Sequence, residues 1–472
     1  MSSANSANEK PIAAFVGIDW ADQKHDIVLC AATGNAQADH RSISSDPDAL
    51  AEWALEMQGR FGSQGRILIC LEQSRGALIY FLMGYECFDL YPINPKQLSS
   101  YRVAFRPSGA KDDPVDGKLL CQLICLHHQS LRPWRPDDEA TRKLALLCEK
   151  RRKAVDTRTA LSNQLKSELK LFFPLALTIL DNDLTTALAG DFLLAWPNFD
   201  SLKKASVNKL RKFFYAHQSR SEQKIQERLK CIEAAQPLTR DSAIIETSTI
   251  AVRMLAQQLK DLVPFIALYD RLISELFDSH PDSALFNNLP GAGKQLAPRL
   301  LTAFGSHRER FQCSLEALTF FGLAPVTEQS GKSKRVHFRW ACPKFLRQSF
   351  HEFAAQSVRS SPWAASFYQH QRAHGKGHHA AVRALAYKWI RILYRCWKTR
   401  QPYNPELYLT ALLQRGSPYA SPVNNSTKKI LQTISDVWRA LAGAGIWAAS
   451  GESGQRGASY HGTGRTGRKT LQ

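Results

Sequence analysis

The sequence predicts an α/β N-terminal domain followed by mainly α-helical regions, and three patterns support this fold class. Short apolar runs alternate with helix-like segments over residues 12–100. From about residue 137 the leucines recur at helical spacing, and charged residues fill the remaining positions. After about residue 415 the chain becomes rich in Gly, Ser and Arg, a composition that cannot bury a core.

The N-terminal strands follow one another in an informative order. Apolar runs predict strands over residues 15–19, 25–32, 40–44, 66–71 and 88–93. Asp46 and Pro47 open a helix that runs to about Gly59, and another helix follows the fourth strand to Gly84. Strands joined by short turns form hairpins, whereas the later strands need helical crossovers to lie parallel. This order is typical of an RNase H-like sheet.

Two long amphipathic helices are predicted in the middle of the chain, over residues 137–172 and about 241–276. They could pair as a coiled-coil hairpin or between subunits. The helical, basic stretch between them, roughly residues 175–240, is less familiar and is interpreted as an insertion. The predicted organisation is a disordered start (1–11), an α/β domain (12–136), a helical coiled-coil region with an insertion (137–286), a C-terminal domain (287–415) and a disordered basic tail (416–472).

The charge balance predicts an acidic partner. The 472 residues include 62 Lys and Arg against 42 Asp and Glu, which gives a net charge of +20. Nucleic acid is a commoner partner for such a chain than an anionic membrane. No apolar run is long enough to span a bilayer, and the first ten residues lack the apolar core of a signal peptide. We therefore expect a cytoplasmic protein that binds nucleic acid and has no membrane partner.

Four carboxylates are the candidate metal ligands. Asp19 and Glu72 each end a short apolar strand, and the ends of neighbouring strands are close in space. Asp113 and Asp116 lie at i and i+3 on one face of a helix, whose first turn Pro114 favours. Carboxylates gathered in this way repel one another unless cations neutralise them. Two Mg²⁺ ions about 4 Å apart suit such oxygen ligands and can support phosphodiester cleavage.

Each of these acids also has a plainer interpretation. A lone Asp at a strand end is usually a turn former or a helix cap, and Asp113 could be only an N-cap. Asp112 is a rival to Asp113, although the i, i+3 spacing to Asp116 favours Asp113. The combination is more specific than its members because the order and the structural context agree.

Three segments resemble the motifs of the DEDD transposases of bacterial insertion sequences. They are residues 17–19 (Gly-Ile-Asp), 71–74 (Leu-Glu-Gln-Ser) and 108–116 (Ser-Gly-Ala-Lys-Asp-Asp-Pro-Val-Asp). The resemblance implies that residues 12–136 form a RuvC-like catalytic domain, whose four carboxylates bind two Mg²⁺ ions, with Mn²⁺ as an alternative. The chain departs from the family's pattern at Asp112 and Pro114, where the family more often has a small polar and a basic residue, and Arg75 adds one residue after the glutamate motif.

The C-terminal domain begins with a segment that looks like the start of a helix-hairpin-helix. Gly291 and Gly293 permit a tight turn, and backbone N–H groups at the start of the next helix could hold a phosphate. Lys294 follows, but the glycine spacing is wrong for a P-loop and no Ser or Thr stands at the required place. A plain pair of helices that packs its leucines is the alternative interpretation.

A second motif, residues 321–332, reads Phe-Gly-Leu-Ala-Pro-Val-Thr-Glu-Gln-Ser-Gly-Lys and resembles the C-terminal signature of the same family. By this match Ser330 corresponds to the catalytic serine, which attacks DNA and forms a phosphoserine link. A serine hydroxyl is a weak nucleophile until a base or a metal activates it. Gly331 would keep the approach open for a DNA backbone. A polar surface loop is the plainer interpretation, and Ser333 is the nearest alternative nucleophile.

The residues expected to contact nucleic acid are basic or belong to the glycine turn. They are Lys111, Arg151, Arg152, Gly291, Gly293, Lys294, Lys332 and Lys376. The histidines around Lys376 are interpreted as part of a basic element and not as a metal site, because no acid or cysteine accompanies them. Trp340 and Trp363 are expected in the core and not as base-stacking platforms. Arg383 lies off the apolar face of its predicted helix and remains for solvent or phosphate.

The resemblance covers most of the chain from about residue 12 to 400 and implies an insertion-sequence transposase. It further implies a homodimer or homotetramer that acts on DNA of the element ends and target in the bacterial nucleoid, with a guide RNA encoded by the element. Composition does not distinguish RNA from DNA as the partner. Two alternatives stay open: a Holliday-junction-type resolvase or nuclease in which metal-activated water attacks, and a non-catalytic nucleic-acid-binding scaffold.

Overall fold

The computed structural model describes residues 10–33, 38–72, 76–105, 113–331 and 333–419, without the side chains of residues 105, 113 and 114. The chain folds as two compact units, residues 1–136 and 137–472. Lys111, Asp112 and Lys332 lie outside the described residues, and so do almost all of the two segments that were predicted to be disordered.

The first unit is built on a mixed sheet of five strands. The strands are β1 (Ile12–Asp19), β2 (Lys24–Ala31), β3 (Asp39–Ser44), β4 (Arg66–Leu71) and β5 (Phe88–Pro92). Their spatial order is β3-β2-β1-β4-β5. The first three strands pair antiparallel, and β4 pairs parallel with both β1 and β5. This arrangement confirms the predicted hairpins and parallel crossovers.

Helices cover both faces of this sheet. They are α1 (Pro47–Phe61), α2 (Ala77–Leu82), α3 (Pro95–Phe105) and α4 (Asp113–His127). The Asp46 carboxylate caps α1 by accepting a hydrogen bond of 2.9 Å from the backbone N–H of Ala49. Apolar side chains of α1 and α2 pack on one sheet face in one core, and those of α3 and α4 pack on the other face in a second core.

In its described residues the second unit is helical apart from one hairpin, and the longest of these helices are α5 (Glu139–Phe172) and α11 (Ser242–Asp278). They pack along each other, and Arg151 of α5 forms an ion pair of 2.5 Å with Asp270 of α11. Residues early in α5 thus meet residues late in α11, so the two helices run antiparallel.

Five shorter helices lie between the two long ones in the sequence and share a core with them. They are α6 (Leu175–Ile179), α7 (Ala187–Ala195), α8 (Phe199–Lys203), α9 (Val207–Ala216) and α10 (Glu222–Ala234). Phe192, Trp196 and Phe214 are buried in this core. The segment that was interpreted as an insertion is therefore a packed helical layer on α5 and α11.

The C-terminal part of the second unit forms a second core, to which one end of α5 and of α11 also contributes. Its elements are α12 (Ser283–Asn287), α13 (Gly293–Phe304), α14 (Ser314–Phe320), β6 (Val326–Ser330), β7 (Ser333–His337), α15 (Lys344–Ser360), α16 (Pro362–Ala373), α17 (His378–Thr399) and α18 (Pro405–Gln414). Trp389 and Trp397 are fully buried there, and their indole N–H groups donate to Ser357 Oγ at 2.8 Å and to the Gly305 carbonyl at 2.7 Å. In the described part of the chain no helix is long and apolar enough to cross a membrane.

Candidate active site

Asp19 and Glu72 stand at the ends of two adjacent parallel strands. In the β1–β4 register Gly17 pairs with Cys70 and Ile18 with Leu71, so Asp19 comes beside Glu72 one step further on. Side chains alternate along a strand. Phe15 belongs to the core beneath α3 and α4, so the same alternation directs Asp19 to that face, and Glu72 directly follows the last residue of β4.

Helix α4 lies unusually close to this face of the sheet. A Cβ atom on Gly17 would come within 2.2 Å of the Gly117 carbonyl oxygen and 2.3 Å of the Cys121 backbone nitrogen. Only glycine permits this approach, which seats the first turns of α4 on β1. Asp116, in the first turn of α4, is thereby held over the face to which Asp19 belongs.

Arg102 of α3 binds Asp116, and sequence reasoning missed this contact. The guanidinium Nε donates to Asp116 Oδ1 at 2.8 Å and Nη2 donates to Oδ2 at 2.5 Å. Only 3% of the Asp116 side chain and 14% of the Arg102 side chain are exposed. A buried carboxylate requires a compensating cation, and the bidentate guanidinium supplies one.

The four predicted carboxylates do not form a closed cluster in the described part of the chain. Among the described residues no three His, Cys, Asp or Glu side chains are gathered closely enough to hold a metal ion. The Asp113 side chain lies outside that description, and Asp116 faces Arg102. The structure thus brings Asp19 and Glu72 to neighbouring strand ends and keeps Asp116 on the covering helix in an ion pair.

A fifth acid, Asp26 of β2, lies opposite Asp19 in the antiparallel register. Directly paired residues project to the same face, so Asp26 shares the face of Asp19. It is 4% exposed, and His40 Nε2 lies 3.0 Å from its Oδ1. The only sequence signal for Asp26 was its place in a strand that pairs with β1.

Ser330, the candidate nucleophile, lies at the tip of a two-stranded hairpin. It is the last residue of β6, pairs with Ser333 of β7 and is exposed. Gly331 in the turn has φ +54°, a left-handed conformation that tight hairpin turns require. A hydroxyl in this position is accessible to a large substrate. Because Ser333 is its cross-strand partner, geometry leaves both serines as candidates.

The glycine turn before α13 is a site of close packing. Gly291 has φ +83°, and a Cβ there would lie 2.8 Å from the Gln356 backbone carbon. Gly293 has φ +55° and nothing within 4 Å of such a Cβ, and Lys294 is exposed. Gly291 therefore serves the packing against α15, while Gly293 and Lys294 face open space.

The other basic candidates differ in how they are engaged. Arg151 pairs with Asp270, and Arg152 pairs with Asp156 at 2.8 Å and with Glu352 at 3.3 Å. Lys376 is exposed and donates to the Gln371 side-chain carbonyl. These pairs place carboxylates beside Arg151 and Arg152, whose contact with nucleic acid stays a prediction.

The expectation for the two tryptophans was right for one and wrong for the other. Trp363 is 4% exposed and packs in the C-terminal core against Trp389. Trp340 is 77% exposed and lies in the segment between β7 and α15. The apolar character of the residue suggested the core, but no helical or strand periodicity fixes its direction in such a connection.

Family comparisons match both units of the chain. Residues 16–174 match the IS110-type DEDD family described as Transposase, and residues 283–369 match the family described as Transposase IS116/IS110/IS902. Together the two matches cover about half of the chain.

Curated relatives come from insertion elements of bacteria. A protein of Streptomyces coelicolor named as a transposase for the IS117 mini-circle is 27% identical over 86% of this chain and 99% of its own length. The 43.6 kDa protein of insertion element IS110 from the same organism is 24% identical over 84% of this chain and 98% of its own length. The 42 kDa protein of IS900 from Mycobacterium paratuberculosis is 24% identical over 64% and 75%.

These matches define the class of protein: it is a transposase, an enzyme that acts on DNA. More narrowly, the chain belongs to the IS110 family of DEDD transposases.

Proposed function

We propose that this transposase cuts and rejoins DNA at a metal-dependent, RNase H-like centre of the RuvC type, built on Asp19, Glu72, Asp113 and Asp116, with Ser330 as the nucleophile. The observation that carries the proposal is the position of Asp19 and Glu72 on adjacent strand ends. Asp116 on the helix that covers the same face supports it further. The strand order and the mixed pairing of the sheet support the RNase H-like assignment.

The donor set suits a divalent cation. The candidate ligands are all carboxylates, which are the hard oxygen donors that Mg²⁺ and Mn²⁺ prefer. The Arg102 guanidinium already neutralises Asp116, which indicates that this buried position requires a positive charge. When bound, two such cations would stabilise the charge that develops on the attacking and leaving oxygens of the phosphodiester.

The chain's own residues have separate tasks in this proposal. Asp19 and Glu72 would bind the cation, because the sheet fixes the positions of the strand ends at which they lie. For Asp116 to bind the cation, Arg102 must turn away from it. The Arg102–Asp116 ion pair therefore competes with cation binding. The Ser330 hydroxyl, exposed at the hairpin tip, is free to approach a phosphate.

The test uses the full chain with Mg²⁺, DNA that carries the junction of the element, and RNA transcribed from its flanks. We expect recombined DNA and a covalent protein–DNA adduct. Ser330→Ala should abolish the adduct, and Ser333→Ala should retain it. Asp19→Asn should abolish strand cleavage while leaving DNA binding near normal. Cleavage without any adduct in the wild-type protein would favour a resolvase-type reaction in which water attacks.

Two further parts of the proposal concern partners. The resemblance implies a guide RNA, and omission of the RNA from the same reaction should then stop recombination. It also implies a dimer or tetramer, and two exposed apolar pairs on one face of α11 are candidate contacts. Ile250 and Met254 are 71% and 53% exposed, and Phe265 and Leu268 are 59% and 38% exposed. Gln257 and Asp261 lie between the two pairs on the same face. Phe265→Glu should then lower the oligomeric mass measured by light scattering.

A further inference from the structure

An aromatic and basic surface follows the Ser330 hairpin in the chain. We define the Trp340 surface as Phe338, Arg339, Trp340, Arg347 and Arg383. The Trp340 ring meets the Phe338 ring edge-on, with centroids 5.4 Å apart. Because 77% of Trp340 is exposed, most of the indole contacts solvent although burial would stabilise the protein. The ring is therefore available to a planar partner.

Two guanidinium groups converge on the same Phe338 ring. Arg347 Cζ lies 4.7 Å and Arg383 Cζ lies 5.2 Å from its centroid. Arg347 also donates to the Arg339 carbonyl at 3.0 Å, and Arg339 donates to the Ala324 carbonyl at 3.3 Å. These contacts hold the cations in place around the aromatic ring.

The charges of this surface are not neutralised by the protein. Among the described residues, no carboxylate forms an ion pair with Arg339, Arg347 or Arg383. Glu352, on the same helix as Arg347, is bound to Arg299 at 2.6 Å. Partial burial and the neighbouring charge of Arg347 lower the pKa of Arg383. Two like charges held close together at partly buried positions are costly unless an anion joins them.

We propose that the Trp340 surface binds one nucleotide of an unpaired DNA strand, with the base stacked on Trp340 and its phosphate held by Arg347 and Arg383. The pairing of an exposed aromatic ring with unneutralised arginines is the arrangement that single-stranded nucleic acid requires. Duplex DNA would use the arginines only, because its bases are already stacked on one another. The choice of DNA rests on the proposed function, since strand cleavage beside the Ser330 hairpin would generate unpaired DNA.

The test measures binding of the full chain to fluorescent oligonucleotides in the presence of a chelator, so that no cleavage takes place. The probes are oligo-dT of about 20 nucleotides, oligo-rU of equal length, a DNA duplex of equal length and an oligonucleotide with abasic sites in place of the thymines. Trp340→Ala should weaken oligo-dT binding by about tenfold, the range expected for one stacked base. Binding of the duplex and of the abasic strand should change less than about twofold. Trp340→Phe should restore most of the affinity.

Matched variants separate stacking from general effects. Tyr215→Ala removes an aromatic side chain of α9 that is 46% exposed, and it should leave all affinities unchanged. Arg383→Gln should weaken binding of oligo-dT and of the abasic strand alike. It should also reduce the number of counterions released on binding, read from the slope of log affinity against log salt concentration, by about one. The melting temperature should be the same for the wild type and Trp340→Ala, since the ring buries little area.

Three results would overturn the proposal: unchanged oligo-dT affinity of Trp340→Ala, an equal loss for duplex and single strand, or a loss confined to oligo-rU. These measurements require no metal and no recombination. A failure of the catalytic proposal, seen as absent cleavage with Mg²⁺, is therefore distinguishable from a failure of the nucleotide site.

Discussion

At the scale of single residues, the Arg102–Asp116 ion pair neutralises one carboxylate of the candidate centre when no cation is bound. Asp116 is almost completely buried, and its only described cationic partner at close range is Arg102. The i, i+3 spacing predicted that Asp113 and Asp116 share a helix face. No periodic pattern connects Arg102, which lies on a different helix, with Asp116, so the sequence could not predict their contact.

Arg102→Gln should destabilise the metal-free protein, because it leaves a buried carboxylate without its cation. Loss of one partner of a buried pair typically costs about 3–5 kcal/mol. The free energy of unfolding, measured with a chelator present, should therefore fall. Added Mn²⁺ should restore more stability to Arg102→Gln than to the wild type, because the cation no longer competes with the guanidinium. Equal stabilisation of both proteins by Mn²⁺ would contradict the assigned role of Arg102.

Gly17→Ala tests the close contact between β1 and α4. The added Cβ would meet backbone atoms at 2.2–2.3 Å, so α4 must shift away from the sheet. We expect a loss of about 1–3 kcal/mol in unfolding free energy, together with a loss of strand cleavage. Gly59→Ala is the matched control, since a Cβ at Gly59 of α1 has nothing within 4 Å and alanine favours a helix. A Gly17→Ala protein as stable and active as Gly59→Ala would refute the contact.

At the scale of elements, the strands were easier to predict than the connections. Apolar runs with turn residues between them identified all five strands of the first sheet, and strand ends brought Asp19 and Glu72 together. The β6–β7 hairpin was not predicted as a pair of strands, because four of the five residues of each strand are exposed and no apolar alternation marks them. Ser330, the last residue of β6, and Gly331 of the turn were recognised only through the resemblance.

The β6–β7 hairpin contains a cross-strand contact that depends on pH. His337 Nε2 lies 2.9 Å from Glu328 Oε1, and this hydrogen bond raises the pKa of His337 above 6.5. The pair therefore stabilises the hairpin fully below about pH 6.5, and the contribution is lost as the pH rises through the raised pKa. Below that range we expect slower amide hydrogen exchange in the hairpin of the wild type than in Glu328→Gln at the same pH. At pH 9 the two proteins should exchange alike, and a difference that persists there would contradict the ionic origin.

At the scale of the whole molecule, the sequence predicted the order of architectures but not how the middle region packs. The division at residues 136 and 137 follows the change from apolar strand runs to amphipathic helices. Residues 175–234 lacked a familiar pattern because their short helices are held by a shared aromatic core with α5 and α11, and not by their own periodicity. The exposed position of Trp340 likewise depends on tertiary packing, which composition does not encode.

The most direct test of the central claim is a Mn²⁺ titration of the DNA-bound protein, followed by electron paramagnetic resonance. If Asp19 and Glu72 hold a divalent cation, Asp19→Asn and Glu72→Gln should each weaken Mn²⁺ binding by more than about tenfold without weakening DNA binding. Asp22→Asn, which alters an exposed acid shortly after the same strand, should bind Mn²⁺ as the wild type does. Unchanged Mn²⁺ affinity in Asp19→Asn and Glu72→Gln would contradict the claim that these strand ends form the catalytic centre.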